Sequence, residues 1–186
     1  PVWLVPMLSH EFSPMNVMRP PHANSQLARE IFAGHAGLSR AMHEIGIPTG
    51  VPMECFDNGN YIADHDVERP VVVENLLRDI YSGLIIYLHF GIVCLSWGPS
   101  SRYQPVKSRS TRSRSNILGD GSKPSKVTGN VQAHHVGILC GALVKMKCYF
   151  SIENPAGSYV FMHPDIITLT YHNQSRSVCI WSAIAR

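Results

Sequence analysis

Three short stretches of this sequence carry residue types able to do chemistry. The first is Leu84 to Pro99, LIIYLHFGIVCLSWGP, an apolar run ending in a loop that holds Cys94. A cysteine attacks as its thiolate, so Cys94 is a nucleophile where its surroundings lower its pKa and a small buried hydrophobe where they do not. The second stretch is Gly34-His35-Ala36-Gly37, between a short apolar segment and a helical pattern. Glycines there admit a ligand close to the backbone, and the first N–H groups of the helix favour an anion. The same residues also make a ligand-free strand-to-helix turn, and a dinucleotide fingerprint, G-x-G-x-x-G, needs one glycine more. The third, Glu153-Asn154-Pro155, sets a carboxyl at a strand end, as an acid, a hydrogen-bond partner or a polar turn. Between these lie Glu54, Asp57 and Asp66; Asp57 follows Gly37 by 20 residues, the spacing at which α/β cofactor sites place a ribose-binding carboxylate.

The elements that must position these groups are legible in outline. Residues 1–26 are rich in Pro, Met, His and Ser without a period, and read as an extended arm before a single domain spanning 27–186. Leu27 to Ala33 reads as a strand. Leu38, Ala41, Met42 and Ile45 recur at helical spacing until Gly46 and Pro48. A second strand is expected over Val51 to Phe56 and a third around Tyr61 to Ala63. Pro70 opens a helix over 71–81, closed by Gly83, and Leu84 to Phe90 has the length and β-branched content of a strand buried on both faces. A helix from Val131 to Met146 precedes a strand from Cys148 to Ile152. Ile166 to Tyr171 and Val178 to Ile184 read as two more strands, joined as a hairpin across Asn173 to Ser177. Alternating strands and helices of this order wind into a mostly parallel sheet, an α/β fold.

Composition sets bounds on function. With 45% hydrophobic and 16% charged residues the chain builds a core and is not disordered. Five cysteines without a C-x-x-C pair suggest neither a disulfide framework nor a zinc ribbon, and fit a reducing, intracellular compartment. No apolar run reaches the ~18 residues of a membrane span, and the apolar start at Val2 to Leu8 lacks a basic leader region. Pro1 in place of Met reads as a hint of a fragment or a processed chain. The net charge of +3 is small, but seven of the sixteen basic residues (Arg102, Lys107, Arg109, Arg112, Arg114, Lys123, Lys126) fall in one segment against the single acid Asp120. That Ser/Arg-rich segment, about 100–130, reads as a mobile basic loop, a solvated linker or phosphorylation site in one view and a phosphate-binding patch in the other. His134 and His135 read as surface or core histidines rather than metal ligands, and Gly129-Asn130 as a turn and helix cap.

Taken together, these stretches resemble the C5-cytosine DNA methyltransferase family from about Leu27 to Asp165. Glu30, Ile31, Phe32, Gly34 and Gly37 match its first motif, with Ala36 in place of a glycine. Gly91, Cys94 and Trp97 match its nucleophile motif, with Ile92 and Val93 in place of two prolines and Gly98 in place of a serine. Glu153-Asn154-Pro155 looks like its later E-N-V motif, while a target-recognition region, a following arginine motif and a closing helix are not evident.

The resemblance implies a Rossmann-like methyltransferase fold that binds S-adenosylmethionine through Phe32, Gly34, Gly37 and Leu38. A ribose contact would come from Asp57 first and Glu54 second, and an adenine contact from Asp66. It implies Cys94 as the nucleophile and Glu153 as the acid that meets cytosine N3. DNA is the implied partner, held by Arg102, Arg109, Arg112 and Arg114, with another protein chain supplying target recognition and with a location in nucleus or nucleoid. A second function class is a non-catalytic descendant of this fold, acting as a binding or structural subunit; a dinucleotide reductase is disfavoured by the incomplete glycine pattern.

Overall fold

The computed structural model describes residues 26–105, 110–172 and 179–183. The arm expected over 1–26 falls outside it apart from Gln26, as do Lys107, Arg109 and the loop expected across Asn173 to Ser177. The first strand, β1 (Leu27–Ile31), leads through the glycine turn into α1 (Gly37–Glu44). A two-residue hairpin follows, β2 (Phe56–Asp57) with β3 (Asn60–Tyr61), then α2 (Pro70–Tyr81) and β4 (Ile85–Gly91). The second half holds α3 (Pro124–Lys145), β5 (Tyr149–Pro155), α4 (Pro164–His172) and β6 (Cys179–Ala183).

The strands β1, β4, β5 and β6 form one sheet in that order, and every pairing in it is parallel. On the outer side of β1, Thr49 bridges Ala28 and Met53 bridges Ile31, also parallel. The chain therefore leaves β1 toward one edge and returns to place β4 on the other side. Where strand order reverses in this way, the loops at the carboxyl ends of the two strands diverge and leave a crevice. This is a mixed α/β architecture with a parallel sheet.

Parallel pairing explains why helices separate the strands, since a parallel connection is too long for a tight turn. Each helix also has local cause. Pro70 at the first position of α2 has its φ preset for a helix, and Val72, Val73, Leu76 and Ile80 turn one stripe inward. On the sheet, the in-register row Ile31, Phe90 and Ile152 meets this stripe and the buried side of α3. Arg29 reaches Asp79 of α2 at 3.5 Å. The next row, Glu30, His89 and Ser151, is polar; His89 and Tyr87 both bond the Ser151 hydroxyl, at 2.7 and 2.6 Å. So over its carboxyl half β4 is fully buried at Leu88 and Phe90 and half-buried at Tyr87 and His89, not equally on both faces.

Four expectations change. Ile166 to Tyr171 is helical, because Pro164 and Asp165 start a helix there and a parallel β5 to β6 crossover favours one; with a helix in place of the first of its two strands the expected hairpin is lost, and β6 pairs parallel with β5 instead. The second strand reduces to bridges at Thr49 and Met53, and the third is an exposed hairpin outside the main sheet. The helix expected from Val131 begins at Pro124, so Gly129 and Asn130 lie inside α3 and are neither turn nor cap. Finally, the basic loop expected to run to about residue 130 gives way to α3 at Pro124, and its residues 110–123 hydrogen-bond among themselves, as Thr111 does to Asp120 at 2.7 Å.

Candidate active site

The carboxyl ends of β1, β4 and β5 lie side by side. Gly91 pairs with Glu153, and one residue earlier Ile31, Phe90 and Ile152 are in register, which brings Phe32 beside Gly91. A Cβ placed on Gly91 would stand 3.0 Å from the Phe32 carbonyl oxygen and 4.0 Å from Glu153 Oε2. Glycine at this point is what allows the first loop and the Glu153 carboxylate to approach the same strand end. Glu153 is half-buried, and its charge and that of Glu30 lean on His89, whose pKa is nonetheless lowered because burial outweighs both.

The loop after β1 is strained. Phe32, Gly34 and Ala36 all have positive φ, at 57°, 51° and 52°. Left-handed backbone at an aromatic residue costs on the order of 1–2 kcal/mol and persists only where surrounding contacts impose it. Those contacts are visible: the Ala33 N–H donates to Met53 O at 3.0 Å, and the Gly34 N–H to Glu54 Oε2 at 2.9 Å. The buried Glu30 carboxylate accepts the Ser39 N–H at 2.7 Å, capping the first turn of α1 from the strand. At Gly34 and Gly37 an added Cβ would meet nothing within 4 Å, so the loop faces open space there. Leu38 is half-buried in the same turn.

Cys94 begins a short 3-10 turn, Cys94–Ser96, just past the end of β4, and is an exposed free thiol. Its loop is held from behind. Asn154, fully buried, donates from Nδ2 to Ile92 O at 2.6 Å. Trp97, also fully buried, donates its backbone N–H to Cys94 O at 3.0 Å, and the Tyr159 N–H bonds Trp97 O at 3.1 Å. The residues flanking the thiol, Val93 and Leu95, are solvent-exposed.

The acids divide. Glu54 is the residue that follows the second parallel edge and touches the glycine loop, whereas Asp57, placed ahead of it by spacing, sits in the exposed β2–β3 hairpin bonded to Asn58. Counting residues along the chain missed this because the second edge ends at Met53, three residues earlier than its apolar run. Asp66 accepts from the Tyr61 hydroxyl at 2.5 Å and from the Glu68 N–H at 2.9 Å, at the base of that hairpin.

The basic residues divide too. Arg114 is exposed. Arg102 is half-buried, bonding Gly157 O at 2.5 Å with its guanidinium over the Tyr159 ring at 3.9 Å. Arg112, expected at a phosphate, is only 4% exposed and its guanidinium is bonded inside the protein, so it is not a surface contact. Arg109 lies outside the described residues. Asn154 and Gly91, read from the sequence only as parts of motifs, turn out to touch the loops on either side of them: Asn154 bonds Ile92, and Gly91 leaves room for Phe32 and Glu153.

Among the described residues no cluster of His, Cys, Asp and Glu could hold a metal ion, and no helix is long and apolar enough to cross a membrane. A cavity lined by Arg29, Val51, Met53, Asp64, His65 and Asp79 includes none of the residues at the three strand ends. No family model, curated protein or solved structure matches the chain.

Proposed function

We propose that the chain is a Rossmann-like methyltransferase that transfers a methyl group from S-adenosylmethionine to C5 of cytosine in DNA. The observation that carries this is the convergence of Phe32, Gly91 and Glu153 at adjacent parallel strand ends, with Cys94 on the loop leaving the middle one. The crevice at the reversal of strand order is where α/β folds bind ligands.

Residues of the β1 loop fit the methyl donor. The space beside Gly34 and Gly37 is open, and Glu54 stands at the loop with a carboxylate of the kind that bonds ribose hydroxyls; Asp57 in the hairpin and Asp66 after it are the further acids proposed toward the donor. When bound, the sulfonium donor supplies an electrophilic methyl group. The Cys94 thiolate adds to cytosine C6 and the π-electron pair of the C5–C6 double bond moves to C5, which would take the methyl group as the methyl–sulfur bond breaks and the sulfur leaves as a neutral thioether. Loss of the C5 proton to solvent and departure of the thiolate restore the ring. Glu153, half-buried at the end of β5, is the carboxyl that would hydrogen-bond N3 and ease the addition. The base reaches Cys94 only when turned out of the stack, and the exposed Arg114, with Arg102 and Lys123 half-exposed, are described cations of this segment that could meet phosphates.

The test is a duplex containing 5-fluorocytosine, incubated with S-adenosylmethionine. The wild type forms a covalent adduct stable to denaturation and Cys94→Ser forms none. If the wild type binds the cofactor by calorimetry yet yields no adduct, the chain is a binding subunit of this fold; absence of cofactor binding removes the methyltransferase reading altogether.

A further inference from the structure

We infer that Arg112 is a positioning residue for the Cys94 loop, locking that loop to α3 through Trp97, Ser96 and Asn130. The inference rests on the reading of Cys94 as nucleophile.

The Arg112 guanidinium lies over the Trp97 ring with 3.3 Å between its central carbon and the ring centroid. Its Nη2 donates to Ser96 Oγ at 3.2 Å and to Lys126 O at 3.0 Å; its Nη1 donates to Asn130 Oδ1 at 2.7 Å and to Ile117 O at 2.8 Å. One planar group thus joins the two residues that follow Cys94 by two and three positions to the first turns of α3. Asn130 completes the clamp by donating from Nδ2 to Leu118 O at 3.1 Å, which fixes the segment that presents Arg112.

Gly129 makes the approach possible. A Cβ there would stand 2.8 Å from Ser96 Oγ, 2.9 Å from Trp97 Nε1 and 3.1 Å from Arg112 Nη2. The pair Gly129-Asn130 inside a helix therefore has one purpose: the first residue lets the loop touch the helix and the second receives the arginine. A flat, forked cation is required, because four acceptors in two directions and an aromatic face cannot all be met by an ammonium group. Burying a guanidinium solely for stability is unrewarding, since no carboxylate is among its described partners. Fixing the thiol within a fraction of an ångström is a better use, because a displacement near 1 Å can cost about 100-fold in rate.

The experiment compares wild type with Arg112→Lys, Gly129→Ala and the milder Asn130→Ala. Three quantities are measured: iodoacetamide alkylation of Cys94 against pH, adduct formation with the 5-fluorocytosine duplex, and duplex affinity against salt. For Arg112→Lys and Gly129→Ala the expected result is an alkylation profile shifted several-fold in rate and adduct formation slowed on the order of 100-fold. Duplex affinity and its salt dependence should stay unchanged. Asn130→Ala gives a smaller change in the same direction, and it carries the test if the other two variants do not fold. An unchanged alkylation profile with weaker and less salt-dependent duplex binding makes Arg112 a phosphate contact and overturns the inference. If the wild type forms no adduct, the proposed reaction fails, and the alkylation profiles alone decide whether Arg112 positions the loop.

Discussion

Asn154 holds Ile92: its side-chain amide donates to the Ile92 carbonyl at 2.6 Å from a position with no solvent exposure. This bond joins the end of β5, where Glu153 stands, to the first residue of the loop that leads to Cys94. A candidate acid at the end of β5 and a candidate nucleophile in the loop after β4 are thereby kept in one frame, by the residue after Glu153 and the residue two before Cys94.

Asn154→Ala should cost about 2–3 kcal/mol, since it strands a carbonyl oxygen in a buried setting. Asn154→Asp should cost more, because a carboxylate would then face that carbonyl. Urea denaturation measures both; a loss under about 0.5 kcal/mol for either would mean the loop is held by other contacts.

Gly91→Ala sets two effects against each other. Alanine in a strand gains about 0.5–1 kcal/mol over glycine through the unfolded chain. Its Cβ, however, would stand 3.0 Å from the Phe32 carbonyl, a backbone atom that cannot swing aside. Overpacking of this kind costs about 1–3 kcal/mol, so a net loss of about 1 kcal/mol is expected, together with slower adduct formation as Phe32 and Glu153 are pushed apart. A more stable variant would show that the three strand ends have room to separate without penalty.

Lys147 ends α3 in left-handed conformation at φ 60°. The Cys148 N–H bonds Leu143 O at 2.8 Å and the Lys147 N–H bonds Val144 O at 3.0 Å, the paired hydrogen bonds of a Schellman ending. Lysine pays for that backbone conformation and glycine does not. Lys147→Gly should stabilise the fold by about 0.5–1 kcal/mol after the added freedom of the unfolded chain is subtracted, whereas Lys147→Ala should leave it unchanged. Thermal unfolding of the two variants decides.

The strands β1, β4 and β5, with helices α1 and α2, were readable because local signals agree with their environment: apolar runs of strand length, a proline at Pro70, glycines at Gly46 and Gly83. Disagreement begins where tertiary demands override local preference. Ile166, Ile167 and Thr168 are β-branched and favour a strand by themselves, yet the parallel crossover needs a helix there. Arg112 sits in a Ser/Arg run whose composition signals solvent exposure, and its burial depends on an aromatic ring and a helix that come from elsewhere in the chain. In the candidate site, Cys94 and Glu153 were identifiable by type and by their strand ends. In the sequence Asn154, Gly91 and Gly129 read only as motif or turn residues, because what they touch depends on contacts between segments distant in sequence.

His163 ties stability to pH. It is 4% exposed, meets the Trp97 ring edge-on at 5.9 Å between centroids, and accepts the Asp165 N–H at Nδ1, 3.3 Å away. Burial pulls its pKa from 6.5 down to about 4; Asp165 pulls the other way, while His134 and Arg112 add to the lowering. A histidine of this kind is neutral in the fold and takes a proton more readily when unfolded. Between pH 6.5 and 4 the unfolded chain therefore binds the extra proton, and stability falls as pH falls. The contribution is complete above pH 6.5, and roughly 3 kcal/mol is lost on reaching pH 4, since each tenfold difference in proton affinity between the two states is worth ~1.4 kcal/mol. His135 acts in the same direction, its pKa also lowered chiefly by burial. His163→Phe retains an aromatic edge against Trp97 and removes the titrating nitrogen, so its unfolding free energy between pH 4.5 and 6.5 should be markedly flatter than that of the wild type. Parallel curves for the two proteins over that window would mean that His163 is protonated in the fold without penalty and that its contact with Trp97 opens to water.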